Sequence, residues 1–178
     1  MTGQVRSTRL VSEHSLSMKK GWTGNLSRDV RRDQVVAAAL KLIGERGMAG
    51  ITTAALAREV GISEANIYRH FRNKREILLE TVKRIGEGLM GNVETARGLS
   101  SGPVDGLRRL FRLHLQHVDR NRGIPRLLYS DEIHADTGGL RAALLEAISK
   151  YVLSMEEMVR EGKEEGVIRQ AVDPRAAA

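Results

Sequence analysis

The chain has 178 residues, 41% of them hydrophobic, with no cysteine and a formal net charge of +7. That length suits one ordinary domain or a small domain fused to a larger one. The lack of cysteine excludes disulfides and thiolate metal sites, and without a run of about 18 apolar residues no membrane-spanning helix is expected.

The charge is unevenly divided. Residues 1–23 hold four basic and one acidic group, residues 24–84 twelve and seven, and residues 85–178 thirteen and fourteen, giving +3, +5 and −1. The excess belongs to the N-terminal half, which suggests a polyanionic partner for that half alone. Arg6 and Arg9 precede no apolar stretch, so the N-terminus does not read as a secretory signal, and a cytoplasmic location is the default expectation. Residues 1–24 are polar and aperiodic and read as a disordered arm, with Met18 an alternative start.

From Ser27, a plausible N-cap, "RDVRRDQVVAAALKLIGERG" spaces Val36, Ala39, Leu40 and Ile43 for an amphipathic helix that Gly47 stops. Thr52 caps a short second helix, with Ile51 and Leu56 as a hydrophobic staple across the cap. Gly61 supplies a sharp turn, and Ser63 caps a third helix. Asn73 opens a fourth, with Glu76 three residues on as in a capping box and Ile77, Leu78, Val82 and Ile85 along its apolar side. Gly86, Gly88, Gly91, Gly98 and Gly102 are expected to interrupt that helix and its exit, and "SSGP" at 100–103 reads as a loop.

At about 100° per residue, the third helix points Ile67 and Phe71 inward and leaves Ala65 and Arg69 nearly opposite, with Tyr68 on the flank. A small residue permits close approach to a surface, and the guanidinium fork matches a guanine edge or a phosphate. Lys74 and Arg75 fall in the first turn of the fourth helix, where the macrodipole disfavours cations. A phosphate docked at that helix end would account for them, although Glu76 and solvent screening would also absorb the cost.

The stretch "ITTAALAREVGISEANIYRHFRNKREIL" resembles the helix-turn-helix signature of the TetR family of bacterial transcriptional regulators, over about residues 28–84. The features that carry the likeness are Thr52, Ala57, Gly61, "IYRHF" at 67–71 and Lys74. The resemblance implies that Ser63–His70 is a recognition helix and that Thr53, Ser63, Ala65, Tyr68, Arg69, His70 and Lys74 stand where the family meets DNA. Within that frame Tyr68, His70, Lys74 and the Thr53 hydroxyl are expected to grip phosphates. Arg69 is the candidate base reader, with Asn66 or Glu64 assisting. His70 reads equally as a half-buried packing residue beside Phe71.

Beyond residue 85 the chain carries no such signature. Leu107, Leu110, Phe111, His114 and Val118 keep helical spacing, Pro125 is expected to open a short "RLLYSDEIH" helix, and Leu140, Leu144, Ile148, Val152, Met155 and Val159 mark a long one. Leu110, His114, His117, Tyr129 and Met155 are candidate walls of a pocket for a lipophilic or aromatic effector, or simply core. His114 and His117, with Asp131, Glu132 and His134, raise a helical metalloenzyme as a rival. The repeated Glu-x-x-His of di-metal bundles is absent, however, and no metal, cofactor or catalytic residue is expected. "VDPRAAA" reads as a helix start, with Asp173 as cap and Pro174 at its first position; since family members continue with two further helices, a truncated chain is expected.

The expectation is an all-α protein in three parts: an arm at 1–24, a helix-turn-helix DNA-binding domain at 25–72, and a helical effector-binding and dimerisation domain at 73–178. By resemblance it is a homodimeric repressor released from a double-stranded operator by a small molecule. A chromosome-organising or division-control factor of the same fold is the alternative.

Overall fold

The computed structural model of the chain describes residues 27–135 and 139–178; the arm at 1–24 and the alternative start at Met18 lie outside the described residues. The described residues contain helices and no strand. The N-terminal head consists of α1 (Arg28–Arg46), a short 3-10 turn (Met48–Gly50), α2 (Thr53–Val60) and α3 (Glu64–His70), and α4 (Lys74–Leu99) leads from it into the body. The body adds α5 (Pro103–Arg120), α6 (Gly123–Leu128), α7 (Asp131–His134), α8 (Leu140–Glu164) and the single turn α9 (Pro174–Ala177).

Each head helix starts where a side-chain oxygen accepts a free backbone N–H. Ser27 accepts from Val30, Thr52 from Ala55, Ser63 from Asn66 and Asn73 from Glu76, at 2.9–3.4 Å. Such caps satisfy donors that a helix start otherwise leaves open, and each contributes about 1 kcal/mol. Gly61 takes φ 76°, the left-handed conformation that lets α3 turn off α2, while its own N–H and that of Ile62 both reach the Ala57 carbonyl at 2.9 Å. One apolar core runs from the head through α4 into the body and includes Leu42, Ile51, Leu56, Ile67, Phe71, Val82 and Leu110.

The fourth helix is continuous, contrary to the expectation that its glycines would break it. Its 26 residues run through Gly86, Gly88, Gly91 and Gly98. A Cβ on Gly86 would stand 2.9 Å from the Ala147 Cβ, and one on Gly88 would stand 2.6 Å from the His117 ring. Those two glycines are therefore contact points that let α8 and α5 approach closely. The roughly 1 kcal/mol that glycine costs in a helix interior is offset by that packing.

Pro125 does not open a helix either. It lies inside α6, at a first-turn position where no intrahelical N–H bond is required, and the predicted single helix is split by Tyr129 and Ser130 into α6 and α7. On α8 the buried stripe is Leu140, Leu144, Tyr151, Met158, Val159 and Gly162; Ile148, expected inward, is 38% exposed. Phe111 on α5, also expected inward, is 64% exposed. At the C-terminus the predicted turn forms, with Asp173 accepting from Arg175 N at 3.0 Å.

Head and body meet at a second place besides α4. A Cβ on Gly123 would fall 2.1 Å from the Leu40 carbonyl oxygen, and one on Gly44 would lie 3.0 Å from Gly123 N. Only two glycines allow α1 and α6 to touch backbone to backbone.

Candidate nucleic-acid interface and effector region

The third helix, α3, is anchored from inside and open to solvent outside. Ile67 and Phe71 are each 1% exposed, whereas Ala65 and Arg69 face solvent and Tyr68 is 57% exposed. Asn66 is half-buried, with its backbone N–H held by the Ser63 hydroxyl. Across the turn the Thr53 hydroxyl meets the Tyr68 hydroxyl at 3.2 Å, so two predicted phosphate ligands from different helices share one patch.

His70 has the half-buried position that one of its two sequence readings gave it. Its ring is half-buried, and Nδ1 has no hydrogen-bond partner among the described residues. Burial first, then the charges of Arg31, Arg69, Arg28 and Arg32, hold its pKa below the usual imidazole value and keep it neutral. Lys74 is not a bare phosphate ligand: its ammonium donates to the Met48 carbonyl at 3.2 Å and ties α4 to the turn before α2. An ammonium carries three donors, so that bond leaves others for a phosphate.

The brace that fixes this arrangement, Arg32, was missed in the sequence. From α1 its guanidinium reaches Glu76 at 3.1 Å and Glu80 at 3.2 Å, donates to the His70 carbonyl, and lies 4.2 Å from the Phe71 ring centroid. Its many partners make it a planar clamp across α1, α3 and α4, a task suited to arginine rather than lysine. Glu76 completes the clamp differently from the expected capping box. Its carboxylate accepts from Arg72 N at 2.8 Å, and this bond, followed by Arg32, depresses its pKa.

Beside α3, a cleft of about 560 Å3 opens between the start of α1 and the α3–α4 junction, with Arg28, Arg69, Arg72 and Arg75 in its lining. Four guanidiniums around one cleft make a ready site for a polyanion backbone. Arg28 and Arg72 went unassigned in the sequence. The signal that could have found them is the +5 excess at residues 24–84, which periodicity alone does not place on a face.

The five effector-region candidates do not converge. Leu110 is 1% exposed core, Met155 packs against that core, and Tyr129 stands 83% exposed at the end of α6, so it walls no interior pocket. His114 stacks on Tyr151 with ring centroids 5.6 Å apart. Burial pushes the Tyr151 phenol up to about 12. His117 packs over Gly88 and borders a crevice between α1, α4 and the end of α5. Burial, then the neighbouring His114, lowers the His117 pKa. The described residues hold no group of three or more His, Asp or Glu side chains placed for a metal, and no helix among them is long and apolar enough to cross a membrane.

A helix-turn-helix head with an outward basic helix, carried on a helical body, is the architecture of a DNA-binding regulator. Residues 35–81 match the family model described as bacterial regulatory proteins, tetR family, and residues 103–177 that of the tetracyclin repressor-like C-terminal domain. The chain is 30% identical over 148 residues to the nucleoid occlusion factor SlmA of Marinobacter nauticus, covering 83% of this chain and 74% of that protein. Among solved structures it is similar to the TetR family transcriptional regulator PfmR from Thermus thermophilus, with 28% identity, a TM-score of 0.68, and 80% of this chain against 77% of that one. It is also similar to AibR, crystallised with isovaleryl coenzyme A and operator DNA, with 26% identity, a TM-score of 0.66, and 82% against 78% coverage. The chain belongs to the TetR family and is a DNA-binding transcriptional regulator, in a family of regulators rather than enzymes.

Proposed function

We propose that this regulator is a cytoplasmic repressor that binds a roughly palindromic operator as a homodimer and leaves it when a lipophilic small molecule occupies the body. Two recognition helices would then enter successive major grooves about 34–36 Å apart. The observation that carries the reading is the continuity of α4. Its first two turns hold the head through Lys74, Glu76 and Glu80, while its later turns pack on α5 and α8 and end in the Arg97 pair with Glu161 at 2.9 Å. A body movement that displaces α4 moves the reading helix with it. Release requires the effector to favour the DNA-free arrangement; equal affinity for both arrangements would shift nothing. The solved relative AibR, crystallised with isovaleryl coenzyme A and operator DNA, supports a body that receives a small molecule.

In this reading Arg69 reads a base edge, Ala65 permits close approach, and Asn66 assists. Thr53, Ser63, Tyr68, His70 and Lys74 position the phosphates, joined by Arg28 and Arg72 from the basic cleft. Purified protein titrated against its own upstream DNA and an unrelated duplex at two salt concentrations tests it. Specific binding survives the higher salt better than the unrelated duplex does. Arg69→Ala costs about 1–3 kcal/mol and relaxes discrimination, whereas Lys74→Ala weakens both duplexes alike and flattens the salt slope by about one unit. Intact discrimination in Arg69→Ala sinks the base-reading role.

A second reading follows from the SlmA relatives, whose name assigns them to nucleoid occlusion. A factor of that kind occupies many dispersed sites with little effect on neighbouring genes. Genome-wide occupancy measured together with transcript levels separates it from a repressor, which changes expression beside its sites.

A further inference from the structure

The crevice bordered by His117 has a volume of about 810 Å3, within the range of small-molecule sites, and joins the two halves of the molecule. One wall is α1, the other is α4 with the end of α5 and the turn into α6. Val36 and Ile85, 2% and 4% exposed, form an apolar floor. The rim is charged, and two of its four cations already have partners. Lys41 pairs with Glu59 and Glu45, and Arg84 with Asp33 and Glu87. Arg120 and Arg122 also line the crevice and have no acidic partner among the described residues. Asp119 on the same rim also has no ion pair among the described residues, so Arg120 and Arg122 are the two cations of this lining left open to an anion.

His117 contributes the third feature. Its Nε2 is buried with no hydrogen-bond partner among the described residues, and Gly88 provides the space its ring occupies. A buried ring nitrogen without a partner is an uncompensated cost that a ligand oxygen or hydroxyl removes.

The geometry points to this crevice as a binding site for a small amphipathic organic anion, an apolar body bearing one carboxylate, sulfonate or phosphate group. The apolar part lies on Val36 and Ile85, the anionic group meets Arg120 and Arg122, and a polar group on the body satisfies His117. Such a ligand touches α1 of the head and the α5–α6 turn of the body at once, beside the Gly44–Gly123 contact. Its binding therefore stabilises one orientation of head against body. The site does not depend on effector release; it exists whether or not that orientation is the DNA-binding one.

The test uses the full chain and two fluorescent probes of nearly equal shape, anilinonaphthalene sulfonate and the uncharged N-phenylnaphthylamine. The sulfonate binds saturably and is displaced by octanoate more readily than by octanol. The double variant Arg120→Ala/Arg122→Ala weakens the sulfonate about tenfold or more and N-phenylnaphthylamine less than about threefold. Ala37→Trp, at an exposed position on the crevice wall, abolishes binding of both while circular dichroism and thermal midpoint stay unchanged. Phe111→Ser/Leu115→Ser, on exposed apolar surface elsewhere, leaves both affinities intact. Sulfonate binding that ignores the arginine pair or the Ala37→Trp block overturns the proposal. A parallel titration against upstream DNA keeps the two readings apart. Crevice binding with unaltered DNA affinity upholds the site and removes release from it, whereas release by a ligand to which the crevice variants are indifferent overturns the site and leaves the repressor reading standing.

Discussion

Head and body are built by different rules although they share one core. In the head, α1, α2 and α3, together with the start of α4, each begin at a Ser, Thr or Asn whose oxygen closes the first turn. In the body, α5, α6, α7 and α8 begin at Gly102, Arg122, Ser130 and Gly139 with no side-chain cap. The head exposes few large apolar side chains, Val30 and Tyr68, whereas the body exposes Phe111 and Leu115 on α5 and Leu145, Ile148 and Leu153 on α8. Head helices are specified locally, by caps and a glycine turn; body helices are held by what they pack against, mainly α4.

The largest effect comes from breaking the head at its centre. Phe71→Ala removes a ring 1% exposed that also carries the Arg32 guanidinium at 4.2 Å. The expected loss is about 3–5 kcal/mol by urea unfolding, because the cavity adds to the lost transfer energy. Hydrogen exchange should show α1–α3 opening before α8. Simultaneous loss of protection in both halves would mean that α4 makes them a single cooperative unit.

Breaking the body instead calls for high pH. Burial raises the Tyr151 pKa from 10.0 to about 12. A group whose folded pKa is raised contributes stability that is complete below the unfolded value and lost as pH rises through the folded one. The window is therefore pH 10–12, and the expected loss is about 2–3 kcal/mol. Tyr151→Phe should flatten that part of the stability profile. An unchanged profile would mean that another group governs alkaline unfolding.

Removing one cap from the head should cost less. Thr52→Ala leaves Ala55 N without its 3.1 Å acceptor. About 1 kcal/mol of stability should be lost, read as a lower urea midpoint with unchanged slope. A negligible loss would weaken the claim that head helices are locally specified.

What the sequence disclosed follows the same division. The head's caps, its Gly61 turn and the inward pair Ile67 and Phe71 were legible because each depends on residues within a turn or two. Lys74 was legible as unusual, but its bond to Met48, 26 positions away, was not. Arg32 braces Glu76 and Glu80 across 44 and 48 positions, a relation that periodicity cannot contain. In α4 the glycines looked like breaks because a sequence scores their propensity and not the neighbours that require them. In α8 the apolar pattern included Ile148 and missed Tyr151, since the buried face is fixed by where α4 and α5 lie. The pocket candidates scatter for the same reason: spacing along the chain does not tell that Tyr129, at the end of α6, stands 83% exposed while His117 borders a crevice.

The smallest effect gives the sharpest form of the comparison, because the chain contains two phenylalanines and its pattern set both inward. Phe71 is enclosed, while Phe111 is 64% exposed on α5 with Leu115, itself 52% exposed, one turn further on. Phe111→Ser removes little buried area, so in dilute protein the expected change is within about 0.5 kcal/mol, against the several expected at Phe71. The measurement is the urea midpoint, taken at two protein concentrations. A small effect at both makes Phe111 ordinary exposed surface. A loss of about 1 kcal/mol or more that appears only at the higher concentration would mean that the body buries this ring against another chain, since stability derived from association rises with concentration.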